Sequence, residues 1–178
     1  MKWIKRALLK ISGKLFERRN DRLLPFIMNI KTLNVDLPSL SSEYIMNFDV
    51  DYPTQQFIHS VYDKQLVCDP PMVETILECV EPDSVMIDVG SHIGHYTLVA
   101  RQGTGPKGKI YAFDANPDTF LILEKNIASN EYHNIEAVYC AVSNKEGEST
   151  FNIVASDEGL SMFGGTEITY ANILMKLR

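Results

Sequence analysis

Two aspartates and two glycines are spaced as in proteins that hold a small ligand at the edge of a sheet. Asp88 lies near the end of an apolar run over residues 84–89, and Gly90 and Gly94 follow this run. Asp114 closes the next apolar run, 20 residues after Gly94. Ligands of parallel α/β sheets bind beyond the carboxyl ends of the strands, where glycines let them approach the backbone. A carboxylate after the second strand can accept hydrogen bonds from both hydroxyls of a ribose. The pattern predicts a site for an adenosine-type cofactor.

The glycine spacing disfavours a dinucleotide. A dinucleotide site normally needs Gly-x-Gly-x-x-Gly, so that the pyrophosphate reaches a helix N-terminus. Here the spacing is Gly90-x-x-x-Gly94, and His92 stands where the second glycine should be. The sequence therefore favours a ligand without a pyrophosphate, and an NAD-dependent oxidoreductase is the third alternative.

Alternating strands and helices are predicted around these residues. Strands are expected over 84–89, 109–113 and 135–142, and helices over 71–80, 95–102 and 118–129. This alternation predicts an α/β fold with a parallel sheet and right-handed crossovers. After Ser143 the alternation stops, an added strand is predicted over 148–155, and the last dozen residues are ambiguous between strand and helix.

The chain before the alternating region divides into two segments. Residues 1–24 have the pattern of a basic amphipathic helix, and residues 1–22 carry eight basic and two acidic side chains. Such a helix either packs its apolar stripe on the domain or docks on a partner or an anionic membrane surface. The pattern of residues 25–69 predicts a cap or linker of loops with a few strands or short helices. We expect residues 70–178 to form a partial cofactor-binding domain.

Composition excludes several classes of function. Beyond residue 22 the chain has nine basic and 21 acidic residues, which disfavours nucleic-acid binding. Cys68, Cys79 and Cys140 form no CxxC or Cys/His cluster, so we expect no disulfide framework and no metal site. With no secretion signal and no apolar run of spanning length, the sequence predicts a cytoplasmic protein, peripheral to the membrane if the first helix docks there.

Three motifs together resemble S-adenosylmethionine-dependent methyltransferases of the FkbM type, over roughly residues 70–163. They are DVGSHIGHYTL at 88–98, YAFDANP at 111–117 and AVSNKEG at 141–147. The resemblance implies a Rossmann-like parallel sheet with flanking helices and S-adenosylmethionine as cofactor. This sequence departs from the family at His92, where the family often has Asn, and at Asp114, where it often has Glu.

The resemblance also implies roles for individual residues. Gly90 and Gly94 would border the methionine part of the cofactor, Asp88 would hold its amino group or order the turn, and Asp114 would bind the ribose. The expected cofactor-binding set is Asp88, Gly90, Ser91, His92, Gly94, Tyr96, Thr97 and Asp114, with Ala141 and Val142 beside the adenine.

We expect methyl transfer to a hydroxyl of a small-molecule, glycan or lipid-linked acceptor. A base would help such a transfer, and His92 and His95 are the nearest candidates in sequence, although an imidazole of ordinary pKa is common without catalytic duty. The alternative is a truncated, inactive methyltransferase fold that serves as a binding or membrane-associated module.

The family pattern continues with a fourth strand that carries an Asp-x-Glu-Gly-like motif, and none follows Ala155. We therefore expect an incomplete sheet of the first three core strands plus an added strand. Either the chain is a fragment or truncated form, or a partner chain in an oligomer completes the sheet.

Overall fold

The computed structural model describes residues 29–144 and the backbone of residues 147–152 and 169–176. The amphipathic helix predicted over residues 1–24 lies outside the described residues, so its two alternatives stay predictions. Among the described helices, none combines the length and apolar character that crossing a bilayer requires.

The described part begins with a β-hairpin. Strands β1 (Ile30–Leu37) and β2 (Ser42–Asp49) pair antiparallel through a short 3-10 turn, and helix α1 (Pro53–Asp63) follows. The last four side chains of β2, from Met46 to Asp49, are all buried. The segment predicted as loops with a few strands or short helices is therefore mostly regular between Ile30 and Asp63.

The next part is the parallel sheet that the sequence predicts. Strands β3 (Val85–Val89), β4 (Lys109–Asp114) and β5 (Ile135–Tyr139) lie in that order, all parallel, with a helix in each connection. The α/β fold class, with flanking helices in a Rossmann-like alternation, is thus confirmed. The elements are α2 (Pro70–Cys79), β3 (Val85–Val89), α3 (His95–Thr104), β4 (Lys109–Asp114), α4 (Pro117–Ser129) and β5 (Ile135–Tyr139).

Helix α4 begins as the sequence predicts, because Asn116 accepts a hydrogen bond from the Asp118 N–H (3.0 Å) and Pro117 occupies the first turn. The helical pattern predicts Phe120, Leu121, Leu123 and Ile127 on the face toward the sheet. Phe120 and Leu123 are buried and Ile127 packs against the core, but Ile122 is buried in place of Leu121, which is only half-buried.

The third predicted strand, 135–142, is wrong as one element. Strand β5 ends at Tyr139, where the Cys140 N–H bonds the Val138 carbonyl (2.9 Å) in a tight turn that leaves the ladder. Residues Ala141–Ser143 form a separate strand, β6, in a second sheet. There β6 pairs with β8 (Thr169–Lys176), and β8 pairs with β7 (Gly147–Asn152). The ambiguous C-terminal segment is therefore a strand in the part described.

One apolar core joins the hairpin to the parallel sheet. Met46 and Phe48 of β2 belong to the same buried cluster as Leu98, Ile110 and Leu123 of the α/β part. Strand β3 is an edge of its sheet among the described strands. Its outward side chains Val85, Ile87 and Val89 are 66%, 52% and 56% exposed.

Candidate functional site

The turn between β3 and α3 requires its glycines. Gly90 and Gly94 have φ of 82° and 88°, in the left-handed region where side chains are strained. His92 also lies there, with φ of 52°. Histidine and asparagine are two of the few non-glycine residues enriched in this region. The departure at His92 from the family's Asn therefore preserves the backbone of the turn.

The two glycines face different surroundings. A Cβ on Gly90 would meet no atom within 4 Å, whereas a Cβ on Gly94 would lie 2.6 Å from Leu123 Cδ1. Gly90 therefore leaves open space of the kind a bound ligand could enter. Gly94 instead lets the turn pack closely against helix α4.

The amides of the turn are bonded to the end of strand β4. Gly90 N and Ser91 N both donate to the Phe113 carbonyl (2.8 and 2.9 Å), and His92 N donates to Asp114 Oδ2 (2.7 Å). A phosphate-binding turn instead directs its backbone N–H groups at the ligand. This construction suits a ligand without a pyrophosphate.

Asp114 lies at the centre of these bonds and is 8% exposed. Its Oδ1 accepts from Asn116 N (2.8 Å) and Thr119 Oγ1 (2.9 Å), in addition to the His92 bond on Oδ2. Burial raises the pKa of Asp114, and these hydrogen bonds lower it in part. A carboxylate has about four acceptor positions, so Oδ2 retains the capacity to accept from a ligand hydroxyl.

Asp88 lies beneath the turn with two other predicted site residues. Thr97 Oγ1 donates to Asp88 Oδ2 (2.5 Å), and Ser91 Oγ donates to the Asp88 carbonyl oxygen (3.1 Å). Burial raises the pKa of Asp88, and the Thr97 bond acts against that shift. This geometry suits the ordering of the turn, one of the two roles expected of Asp88.

Two residues expected beside the adenine lie in β6. Ala141 packs against Ala115, the residue after Asp114, and both are buried. Val142 packs against the small cluster that contains Phe113. The structure thus brings the third motif next to the second, although the two motifs belong to different sheets.

His95 points away from solvent, into a group of tyrosines. Its ring is 6% exposed, and its Nδ1 shares a 3.0 Å hydrogen bond with Tyr62 Oη, which lies 3.5 Å from Tyr44 Oη. Burial lowers the pKa of His95 to about 4. A neutral imidazole of such low pKa is a weak base at neutral pH, which disfavours the predicted role of His95 as a general base.

Tyr96 faces the segment before α2. Its Oη donates to Asp69 Oδ2 (2.6 Å), and burial is the main cause that raises the pKa of Tyr96. Sequence reasoning missed Tyr62 and Asp69, because both lie in the segment predicted as cap or linker. Their link to the turn depends on long-range packing that leaves no local motif.

We expect His95 to make the protein sensitive to acid. The pKa of the His95 imidazole is near 6.5 in the unfolded chain and about 4 in the folded protein, so the stabilisation from the neutral buried ring is complete above pH 6.5. As the pH falls from 6.5 to about 4, the free energy of unfolding should decrease by about 3 kcal/mol. Denaturant unfolding of wild type and His95→Gln should show this, because glutamine accepts the Tyr62 bond without titrating.

The comparison of wild type with His95→Gln cancels the effects of the buried carboxyl groups on stability. Burial raises the pKa of Asp88 and Asp114, so these carboxyls favour the folded state at acid pH in both proteins. Parallel stability curves for wild type and His95→Gln between pH 7 and pH 4 would contradict a buried neutral His95.

Comparison with known proteins gives partial matches. No family model matches the chain, so the FkbM subfamily is not confirmed. Part of the chain is similar to the hexuronic acid methyltransferase AglP of Haloferax volcanii, with 38% identity over 55 residues. That match covers 31% of this chain and 21% of the relative.

Several solved structures also match parts of the chain. TYW2 of P. horikoshii in complex with MeSAdo matches 74% of this chain and 46% of its own, with TM-score 0.43 and 19% identity. Trm5 of Methanocaldococcus jannaschii in complex with adenosine matches 67% and 31%, with TM-score 0.42 and 17% identity. Precorrin-6y C5,15-methyltransferase of Geobacter metallireducens matches 43% and 42%, with TM-score 0.37 and 23% identity. In each case the match spans less than half of the other protein's length.

Proposed function

We propose that this chain holds the cofactor site of an S-adenosylmethionine-dependent methyltransferase of the FkbM type. The observation that carries the proposal is the construction of the turn. Gly90 opens onto free space, the amides of residues 90–92 bond to the end of β4, and Asp114 Oδ2 can still accept a hydrogen bond. This combination suits a nucleoside without a pyrophosphate. The partial match to a hexuronic acid methyltransferase supports the same reaction class.

The residues of the turn fit this cofactor. Asp114 Oδ2 would accept a ribose hydroxyl, and the Ala115–Ala141 contact would supply an apolar wall for the adenine. Gly90 would give room beside the backbone for the methionine part. When bound, the sulfonium supplies the methyl group, and the protein contributes mainly by aligning donor and acceptor.

The proposed acceptor is a hydroxyl of a small molecule, a glycan or a lipid-linked acceptor. The similar protein of Haloferax volcanii is a hexuronic acid methyltransferase, which favours the glycan within this set. An NAD-dependent oxidoreductase gains no support, since His92 replaces the glycine of a dinucleotide turn and its N–H bonds Asp114.

Calorimetry tests the proposal. We expect saturable heat at one site with S-adenosylhomocysteine and none with NAD⁺. In Gly90→Ala the added methyl group enters the open space beside the turn, and the affinity for S-adenosylhomocysteine should fall at least tenfold, about 1.4 kcal/mol. Absence of saturable heat with S-adenosylhomocysteine, or equal affinity for NAD⁺, would overturn the proposal.

Gly105→Ala is the matched control. Gly105 also has positive φ (70°), and a Cβ there also meets nothing within 4 Å, but it lies in the loop after α3. Its φ and ψ of 70° and −176° are in a region essentially restricted to glycine, so alanine should be at least as strained there. An equal loss of affinity in both variants would show that strain, and not the position of Gly90, weakens binding.

A further inference from the structure

Side-chain amides bind the edge of strand β2 that does not pair with β1. The backbone N–H groups of alternate residues on this edge each donate to an amide oxygen on a helix. The pairs are Ile45 with Asn130 Oδ1 (2.7 Å), Asn47 with Asn126 Oδ1 (2.6 Å) and Asp49 with Gln55 Oε1 (2.7 Å). Asn130 and Asn126 also donate back to the carbonyls of Ile45 (2.7 Å) and Asn47 (3.2 Å).

The spacing of the two asparagines explains this fit. Residues four apart on a helix rise by about 6 Å, and residues two apart on a strand by about 6.7 Å. Asn126 of α4 and Asn130 at its C-cap therefore match the backbone repeat of β2. The helix binds the edge where a third strand would otherwise pair, and this protects the edge from pairing with another chain.

Asn126 differs from Asn130 in two further contacts. Its Nδ2 donates to the carbonyl of Ile93 (2.7 Å), which lies inside the glycine turn directly before Gly94. Its Oδ1 also accepts from Asn47 Nδ2 (3.0 Å), and its side chain is fully buried. An amide can accept two hydrogen bonds and donate two, so Asn126 uses its whole capacity to join hairpin, helix and turn.

We propose that Asn126 is a positioning residue that fixes the glycine turn in the conformation that binds the cofactor. The Ile93 carbonyl belongs to the peptide that enters Gly94, and a glycine can adopt many other conformations if that peptide is released. The bond from Asn126 holds this peptide and links the turn to the N-terminal hairpin. This inference rests on the proposed function. It adds Asn126 to the site, a residue 79 positions from Asn47, its hydrogen-bond partner in the hairpin.

The matched variants are Asn126→Asp and Asn130→Asp. Aspartate keeps an oxygen for the strand N–H but loses the donor, so both variants weaken the contact with β2. Asn126→Asp alone also loses the donor to Ile93. We expect both to lower the melting temperature. Only Asn126→Asp should speed hydrogen exchange in residues 88–97 and lower the affinity for S-adenosylhomocysteine at least tenfold.

Equal exchange in residues 88–97 and equal affinity in the two variants would overturn the inference. If wild type binds no S-adenosylhomocysteine, the proposed function fails, but the exchange comparison still decides the role of Asn126. If Asn126→Asp does not fold, Asn126→Ser and Asn130→Ser give the same comparison with smaller side chains. Faster hydrogen exchange of residues 88–97 in Asn126→Ser than in Asn130→Ser supports the positioning role of Asn126, and equal exchange contradicts it.

Discussion

Gly94→Ala should destabilise the protein by about 2–5 kcal/mol. A left-handed backbone costs a non-glycine residue about 1–2 kcal/mol, and Gly94 has φ of 88°. Its new Cβ would also lie 2.6 Å from the Cδ1 atom of the fully buried Leu123, and such overpacking typically costs about 1–3 kcal/mol. Denaturant unfolding measures the loss, and cofactor binding should disappear with the shape of the turn.

A double-mutant cycle separates the two causes. Leu123→Ala removes the atom that the new methyl group meets, so Gly94→Ala should cost less in that background than in wild type. The remainder should be close to the cost of backbone strain alone. Strictly additive losses would mean that the contact with Leu123 has no part in the effect. A Gly94→Ala protein as stable as wild type would contradict the described turn itself.

The turn and its sheet could be predicted because their determinants are local. Glycines at positive φ, apolar strands that end in aspartate, and the Asn116–Pro117 helix start are each readable within a few residues. The prediction therefore located β3, α3, β4 and α4 to within about two residues. The prediction also placed Asp88 and Asp114 together at the carboxyl ends of neighbouring strands.

The hairpin and its amide contacts were not predictable in the same way. Ile45 and Asn47 reach Asn130 and Asn126 across 85 and 79 residues, and an asparagine in a helix looks like a surface residue in sequence. The break at Cys140 has the same character. The run from Ile135 to Val142 is continuous as a pattern, and the turn at Cys140 together with the pairing of β6 with β8 divides it.

Asp114→Ala should lower the free energy of unfolding by about 2 kcal/mol or more and abolish cofactor binding. The variant leaves the buried Asn116 N and the half-buried His92 N without their acceptor. Thr119 Oγ1 loses its bond to Asp114 and keeps the one to the Asn116 carbonyl (3.2 Å). A buried donor without a partner costs about 1–3 kcal/mol. Because Oδ2 is also the oxygen proposed to accept a ribose hydroxyl, S-adenosylhomocysteine should give no saturable heat in calorimetry.

Two further variants separate stability from binding at this site. Thr119→Val removes one donor to Oδ1, so it should lower stability slightly and leave affinity within about threefold. Asp114→Asn can keep an oxygen for Asn116 and Thr119, but its amide group then faces the His92 N–H on the side proposed for ribose. It should therefore fold better than Asp114→Ala and still bind at least tenfold more weakly than wild type. Wild-type affinity in Asp114→Asn would mean that the carboxylate only holds the turn, and the ribose contact would then belong to another residue.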